Sequence, residues 1–506
     1  MAQAPWKVRK TLVLDAKPLT IDEVVSVARY DRRISVGLKA RKLMLASRKV
    51  VEAAIKDGQP HYGINTGFGS LSKQRIGDKD LAALQRNLVR SHAAGVGDSL
   101  PDDVVRAMML LLAASLSRGK SGVRPVLVET IAAMLNKGVT PIVPEIGSVG
   151  ASGDLAPLAA VALVVIGEGK AKFKGRAMKG GAALKAAGIR PIELEAKEGL
   201  ALINGTHLMA GRGALLCADF NGLLEMAIVA TAMSIDACRA SHSFLDARLY
   251  ELRRAGREPG ILIGLSLWQS QIVESHVEND PRVQDPYSLR AAPTVLGAVR
   301  QSGLWITSQI EAELGAVTDN PLVFAGQLHP KVVSGANFHG MPLAIPLDTL
   351  AISLCHIAGI SERRSYLMTG AFEPESHLKP FLAPRPGLQS GLMIAQYTAA
   401  ACVNEMIGLA TPASVANIPT SAGMEDYNSF GPRSAAKAAR ALDLCRKVIA
   451  IELLVAAEGL EQHRPLKSGR IVEDLHAKIR KVVRKLTDDR PLTDDIAAIE
   501  AIIRGK

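Results

Sequence analysis

The chain has 506 residues, 48% apolar and 22% charged, which excludes a disordered or fibrous polymer and predicts a large buried core. Only 4% are aromatic while alanine, leucine and valine abound, which favours helices packed on helices over a sandwich or barrel. The net charge of +12 is spread along the chain, with no aromatic-studded basic stretch and no zinc-finger spacing, so nucleic-acid binding is not expected.

In chain order, the segment Met1 to Lys7 lacks the apolar core of a signal peptide. A short strand is predicted over Thr11–Asp15. Thr20-Ile21-Asp22-Glu23 then fits a capping box, in which Glu23 reaches back to the cap. A helix follows from about residue 36 to Lys56 and stops at Asp57-Gly58. Two segments break the helical rhythm. One is Tyr62 to Gly69, with Gly63 and Gly67; the other is Pro141 to Pro157, with Pro144, Gly147, Gly150 and Gly153. Loops this long inside a helical protein are often functional. Residues 168–186 predict a small exposed hairpin. Beyond Asn204, long helices are predicted over roughly 207–240, 293–317, 341–369, 389–410 and 433–459.

The fold class that results is mainly α: a long-helix bundle over 211–506, with a smaller, mixed but mostly helical N-terminal domain over 1–210. The basic run Lys478 to Lys485 interleaves with Leu475, Ile479, Val482 and Leu486 at helical spacing, as a solvated helix face does. No uninterrupted apolar run reaches membrane-spanning length; Leu155 to Gly167 is broken by Pro157. Five scattered cysteines, Cys217, Cys238, Cys355, Cys402 and Cys445, form no CxxC pair and read as reduced core thiols in a cytoplasmic protein. The eleven histidines show no metal-ligand spacing, so no metal is expected.

Ala151-Ser152-Gly153 carries a specific chemistry. The Gly153 amide nitrogen has no Cβ beside it and can close onto the Ala151 carbonyl carbon, giving a five-membered ring. Loss of that oxygen as water, and of the Ser152 hydroxyl as a second water, leaves an imidazolone with an exocyclic methylene. Such a ring is a strong electrophile made without an added cofactor. Taken alone the tripeptide reads equally as a glycine-rich turn before a helix, with Asp154 as an ordinary N-cap.

Its company decides. His61 to Gly69, Gly147 to Pro157, Asn204-Gly205-Thr206, Gln284 to Arg290, Asp319-Asn320-Pro321, Asn337-Phe338-His339 and Ile360 to Arg364 resemble, in order, the blocks of the aromatic amino acid ammonia-lyases, most closely their histidine-selective branch. The resemblance runs from about residue 10 to 470. It implies a 4-methylidene-imidazol-5-one group formed autocatalytically from Ala151-Ser152-Gly153, and no external cofactor. It also implies a homotetramer with shared active sites, acting on a small-molecule amino acid.

Roles follow from the same resemblance. Tyr62 matches the family's base, and a phenol of ordinary pKa near ~10 needs hydrogen-bonding or cationic neighbours to serve; as a plain loop tyrosine it would anchor by its hydroxyl. Arg290 would fork onto the substrate carboxylate in a way lysine does not. Asn204, Gln284 and Tyr287 match active-site positions, and Phe338 would wall the pocket. Asp154 would help drive ring closure or cap a helix.

Ser91-His92 falls where the family selects the side chain. His92 can pair with an imidazole, and leaving such a group unpaired rejects apolar substrates strongly; the alternative is a satisfied core histidine. Glu405 matches a glutamate that meets the imidazole, although phenylalanine-selective relatives keep it too. The implied reaction is deamination of histidine to urocanate and ammonia. A tyrosine or phenylalanine lyase, a 2,3-aminomutase and a non-catalytic scaffold stand as alternatives. Met424 and Tyr427 occupy positions where histidine-selective members usually carry glutamine and histidine, and His207 stands where glutamine is usual. Ala291-Ala292 and the stretch Gly370 to Leu378 depart as well. These departures bear on the substrate and leave the reaction class intact.

Overall fold

The computed structural model describes residues 10–67, 69, 74–253, 256–278, 280–326, 329 and 331–505; Met1 to Lys7 and Phe68 lie outside them. Helices dominate, and strands are confined to small two- and three-stranded sheets, as the mainly α class requires. The chain forms two compact units. One comprises Met1–Ala218, Thr307–Leu347 and Ala413–Ala436; the other comprises Asp219–Ile306, Asp348–Pro412 and Lys437–Lys506.

In the first unit the strand Leu12–Leu14 pairs in parallel with Ile34–Val36, a partner too short to show a period in the sequence. The capping box forms as expected: the Glu23 amide donates to Thr20 Oγ1 at 3.2 Å, and the Thr20 amide donates to Glu23 Oε2 at 3.0 Å. The hairpin forms from Lys170–Phe173 and Arg176–Lys179, with Thr140–Pro141 as a third strand. The helix Asp102–Ser117 is buried at every position from Val104 onward. A helix apolar all round finds its minimum at the centre of a core. Three further helices, Leu81–His92, Leu155–Val165 and Glu198–Ile203, pack on one another. Leu88, Leu155 and Leu200 from these three helices wall the cavity described below.

The long helices lie close to their expected spans, as His207–Ala237, Ala292–Glu313, Met341–Gly370, Met393–Ala410 and Gly431–Gln462. The first and third are long and apolar enough to cross a membrane by composition, which the run-length reading missed because Arg212, Asp219 and Glu225 interrupt the first. Two thirds of the most apolar window of the first, 67%, and 61% of that of the third are buried inside the protein, as in core helices.

Within the second unit, a fully buried Arg364–Glu452 pair joins the helices Met341–Gly370 and Gly431–Gln462. The basic run starts on the helix Arg470–Val482, which buries Val472, Leu475 and Ile479, but the helix ends before Arg484 and Lys485; Val482 is exposed, and Arg480 is bound to Glu458 and Glu461. All five cysteines are free thiols.

Candidate active site

The loop before the helix Leu155–Val165 is held by hydrogen bonds from other segments. The Phe430 amide donates to the Val149 carbonyl at 2.9 Å, and the Ser429 hydroxyl donates to the Gly150 carbonyl at 2.9 Å. The Gly205 amide donates to the Ser152 carbonyl at 3.3 Å, and the Asp154 amide donates to the Gly205 carbonyl at 2.8 Å. Gly153 lies at φ +76°, and a Cβ there would stand 2.1 Å from the Gly205 carbonyl oxygen. No side chain fits at 153, so glycine is required by space as well as by conformation.

Asp154 precedes that helix yet makes no cap to it. Its Oδ2 accepts the Leu208 and Met209 amides at 2.9 and 3.1 Å, and Ser148 Oγ lies 3.1 Å from Oδ1. Asp154 therefore caps the first turn of a different helix, the one beginning at His207, and ties it to the Ala-Ser-Gly loop. Burial pushes its pKa up to about 7, against the hydrogen bonds it accepts.

A cavity of about 970 Å³ opens on this loop. Of the residues expected from sequence, Tyr62, His92, Ala151, Ser152, Asn204 and Phe338 line it. Gly153 is buried behind the wall, and Ser91 turns its hydroxyl onto the Leu88 carbonyl at 3.0 Å. Three groups near the loop fit a ring built from residues 151–153. The unshielded Gly153 sits pressed against Gly205. The Ser152 hydroxyl, which ring formation would remove, donates to Glu425 Oε1 at 3.1 Å. Asn204 Oδ1 is buried without a partner at the cavity wall.

Glu425 is the principal residue the sequence reading passed over. Its second oxygen accepts the Thr420 hydroxyl at 2.8 Å, which fixes the carboxylate toward Ser152. Met424, Tyr427, Asn320 and His339 line the same cavity. A signal for the 420s was available: about twenty residues between Ala410 and Gly431 lack an α-helix, with Pro412, Pro419 and Gly423 among them.

His92 lies with Nδ1 2.8 Å from the Leu88 carbonyl and 3.1 Å from Ser91 Oγ. A carbonyl accepts only, so Nδ1 carries the proton in the neutral ring and Nε2 is left as an acceptor. Tyr62 is partly buried. Its pKa is raised by burial first and by the Glu425 carboxylate, while a hydrogen bond from the Gly69 backbone opposes them. The neighbours within this unit thus hold its proton on.

The remaining expected residues belong to the second unit and do not line the cavity. Gln284 and Tyr287 are exposed. Arg290 donates from Nε to the Asp285 carbonyl at 2.8 Å, with its guanidinium 4.5 Å from the centre of the Tyr287 ring. Glu405 is forked by Arg440 at 2.7 and 3.0 Å, and that guanidinium lowers its pKa.

A sequence profile described as aromatic amino acid lyase matches residues 19–481. A histidine ammonia-lyase of Sorangium cellulosum is 46% identical over 97% of this chain and 97% of its own. Among solved structures, a histidine ammonia-lyase from Trypanosoma cruzi superposes with a TM-score of 0.90 at 36% identity, covering 98% of this chain and 94% of its own. A tyrosine aminomutase from Streptomyces globisporus does so at 0.91 and 33% identity, covering 98% and 97%. The chain belongs to the aromatic amino acid lyase family.

Proposed function

We propose that the protein deaminates L-histidine to trans-urocanate and ammonia, a carbon–nitrogen lyase reaction. The full-length similarity to histidine ammonia-lyases supports this, and the carrying observation is the convergence of Tyr62, His92, Ser152, Asn204 and Glu425 on one cavity. Ala151, Ser152 and Gly153 would form the 4-methylidene-imidazol-5-one. When formed, that group supplies an electrophilic carbon for the substrate amine.

The protein's own groups supply the rest. Glu425, set beside Ser152, is placed to take or give a proton at the position of the Ser152 side chain. Asn204 offers a carboxamide oxygen that suits an ammonium N–H. His92 offers Nε2 to the N–H of a substrate imidazole, and Phe338 walls the cavity. Tyr62 is the candidate base for the β-proton, and its raised pKa calls for a positive group from outside this unit.

Tyr287, Arg290, Gln284 and Glu405 are read as parts of active sites shared between subunits of a homotetramer. In support, the second unit exposes large apolar side chains such as Val283 (95%) and Tyr287 (72%), which an isolated chain would leave in water. The five free thiols suit the cytoplasm.

A second reading, a tyrosine- or phenylalanine-directed lyase or aminomutase, is favoured by Met424 and Tyr427 on the cavity wall. Incubation with histidine, tyrosine and phenylalanine, following each conjugated acrylate in the ultraviolet and each β-amino acid by chromatography, separates the two. Urocanate as the dominant product is expected; faster turnover of tyrosine would overturn the histidine assignment. Intact mass should fall two waters short of the sequence value, and Ser152→Ala should restore full mass and abolish activity. A full-mass, active wild type would sink the electrophile.

A further inference from the structure

Lys197 is fully buried at the first unit's core, 2.6 Å from the equally buried Asp319 carboxylate. It adopts φ +75°, a left-handed conformation that non-glycine residues seldom take. A buried ion pair of this kind is weak support for stability, because desolvating two charges offsets much of their attraction. Its retention in a strained backbone asks for another reason, and its connections supply one.

Lys197 immediately precedes the helix Glu198–Ile203, and Asn204 immediately follows it, with its amide bound to the Leu200 carbonyl at 3.0 Å. The helix is thus a strut of about 10 Å between the two residues. From Lys197 the connection runs to Asp319 Oδ2, while Asp319 Oδ1 accepts the Asn320 amide at 2.7 Å. Asn320 is also gripped by its side chain, whose Oδ1 accepts the Gly335 amide at 2.8 Å and the Ser334 hydroxyl at 3.3 Å. Its backbone carbonyl then accepts Asn204 Nδ2 at 3.0 Å. The circuit is closed: strut, ion pair, Asn320 backbone, Asn204. With the amide nitrogen bound, the Asn204 oxygen is the atom left unpartnered at the cavity.

We propose that the Lys197–Asp319 ion pair is a positioning device for Asn204, fixing through the Asn320 backbone which end of the Asn204 carboxamide faces the cavity. Neither Lys197 nor Asp319 touches substrate. Without the pair the Asp319 carboxylate no longer anchors the Asn320 amide, the Asn320 carbonyl shifts although its side chain stays held, and the Asn204 carboxamide then turns its donor end inward. The inference rests on the lyase reading given above.

The test is a cycle of the full-length enzyme, Lys197→Met/Asp319→Asn, Asn204→Ala, and the combination. The Asp319→Asn change keeps a carboxamide oxygen as acceptor for the Asn320 amide while the charges are removed. For each protein the two-water mass deficit gives the matured fraction, and kcat and KM are expressed per matured subunit. The expected result is a retained deficit, a fall in kcat of about 10- to 100-fold, and no further fall when Asn204 is already alanine. A kcat within about twofold of wild type, or losses that multiply with Asn204→Ala, overturns the inference. So does a folded variant lacking the deficit, since the pair would then serve ring closure. If the double variant does not fold, Asp319→Asn alone enters the same cycle under the same criteria. A wild type that deaminates none of the three aromatic amino acids defeats the lyase reading, and this inference with it; a variant matching an active wild type defeats this inference alone.

Discussion

Asn204 and Glu452 are both buried polar side chains, yet they end in opposite states. Glu452, in the long-helix unit, accepts Arg364 at 2.5 and 2.9 Å, Ser234 at 2.7 Å and Ser361 at 2.5 Å. Asn204, in the unit that bears the Ala-Ser-Gly loop, donates once and leaves its oxygen without a partner. Glu425, partly buried, has a donor at each oxygen, the Thr420 hydroxyl and the Ser152 hydroxyl, and ring formation would remove the second. Buried polar groups normally complete their bonds within the protein. Among those that do not, Asn204 lines the cavity, where a ligand can supply the partner. The difference separates polar groups that hold the fold from polar groups that await a substrate, and substitution should separate them by which quantity moves.

The largest effect is expected at the cavity. Tyr62→Phe and Glu425→Gln should each lower kcat by about 10²- to 10⁴-fold, the usual weight of a positioned acid or base, with the melting temperature nearly unchanged. Steady-state kinetics beside a thermal melt decides it; a melting temperature that falls with kcat would put these residues among the fold-holding groups. Next comes Glu452→Gln. Leaving Arg364 buried without a counter-charge should cost about 3–5 kcal/mol of stability, while kcat of the protein that remains folded stays near wild type. Denaturant unfolding measures the first and active-site-normalised kinetics the second; a rate loss without a stability loss would break the comparison.

His92→Leu removes one acceptor and should lower kcat/KM for histidine by about 10- to 100-fold, corresponding to ~1–3 kcal/mol, with phenylalanine affected less. Equal losses for both substrates would remove His92 from recognition. A pH effect concerns His207, buried beside Gly205, where desolvation presses its pKa down to about 3. Between that value and the ordinary 6.5 the unfolded chain binds a proton that the folded one refuses. Stability should therefore fall as pH drops through this window, by at most ~1.4 kcal/mol per unit. His207→Gln should flatten that slope; an unchanged slope would assign it to other groups.

Much of this was legible beforehand because it is local. The capping box at Thr20–Glu23, the hairpin at 170–179 and the five long helices depend on spacing within a few turns, and each formed where its pattern lay. Asp154 shows where local reasoning stops. Its position says N-cap, and it is one, but of the helix beginning at His207, more than fifty residues away. Glu425 lies 273 positions from the serine it meets, and no period links them.

By itself, then, the sequence determined the helical class and the ordered family blocks, and those blocks singled out Ala151-Ser152-Gly153 among several Ser-Gly pairs, because these rest on local propensity and covalent chemistry. The tertiary structure alone decided which helix Asp154 serves, that Glu425 faces Ser152, that Asn204 keeps an oxygen free, and that Lys197 and Asp319 stand behind it. Those outcomes depend on which distant segments exclude water together, and burial of that kind is a property of the packed chain and of no stretch within it.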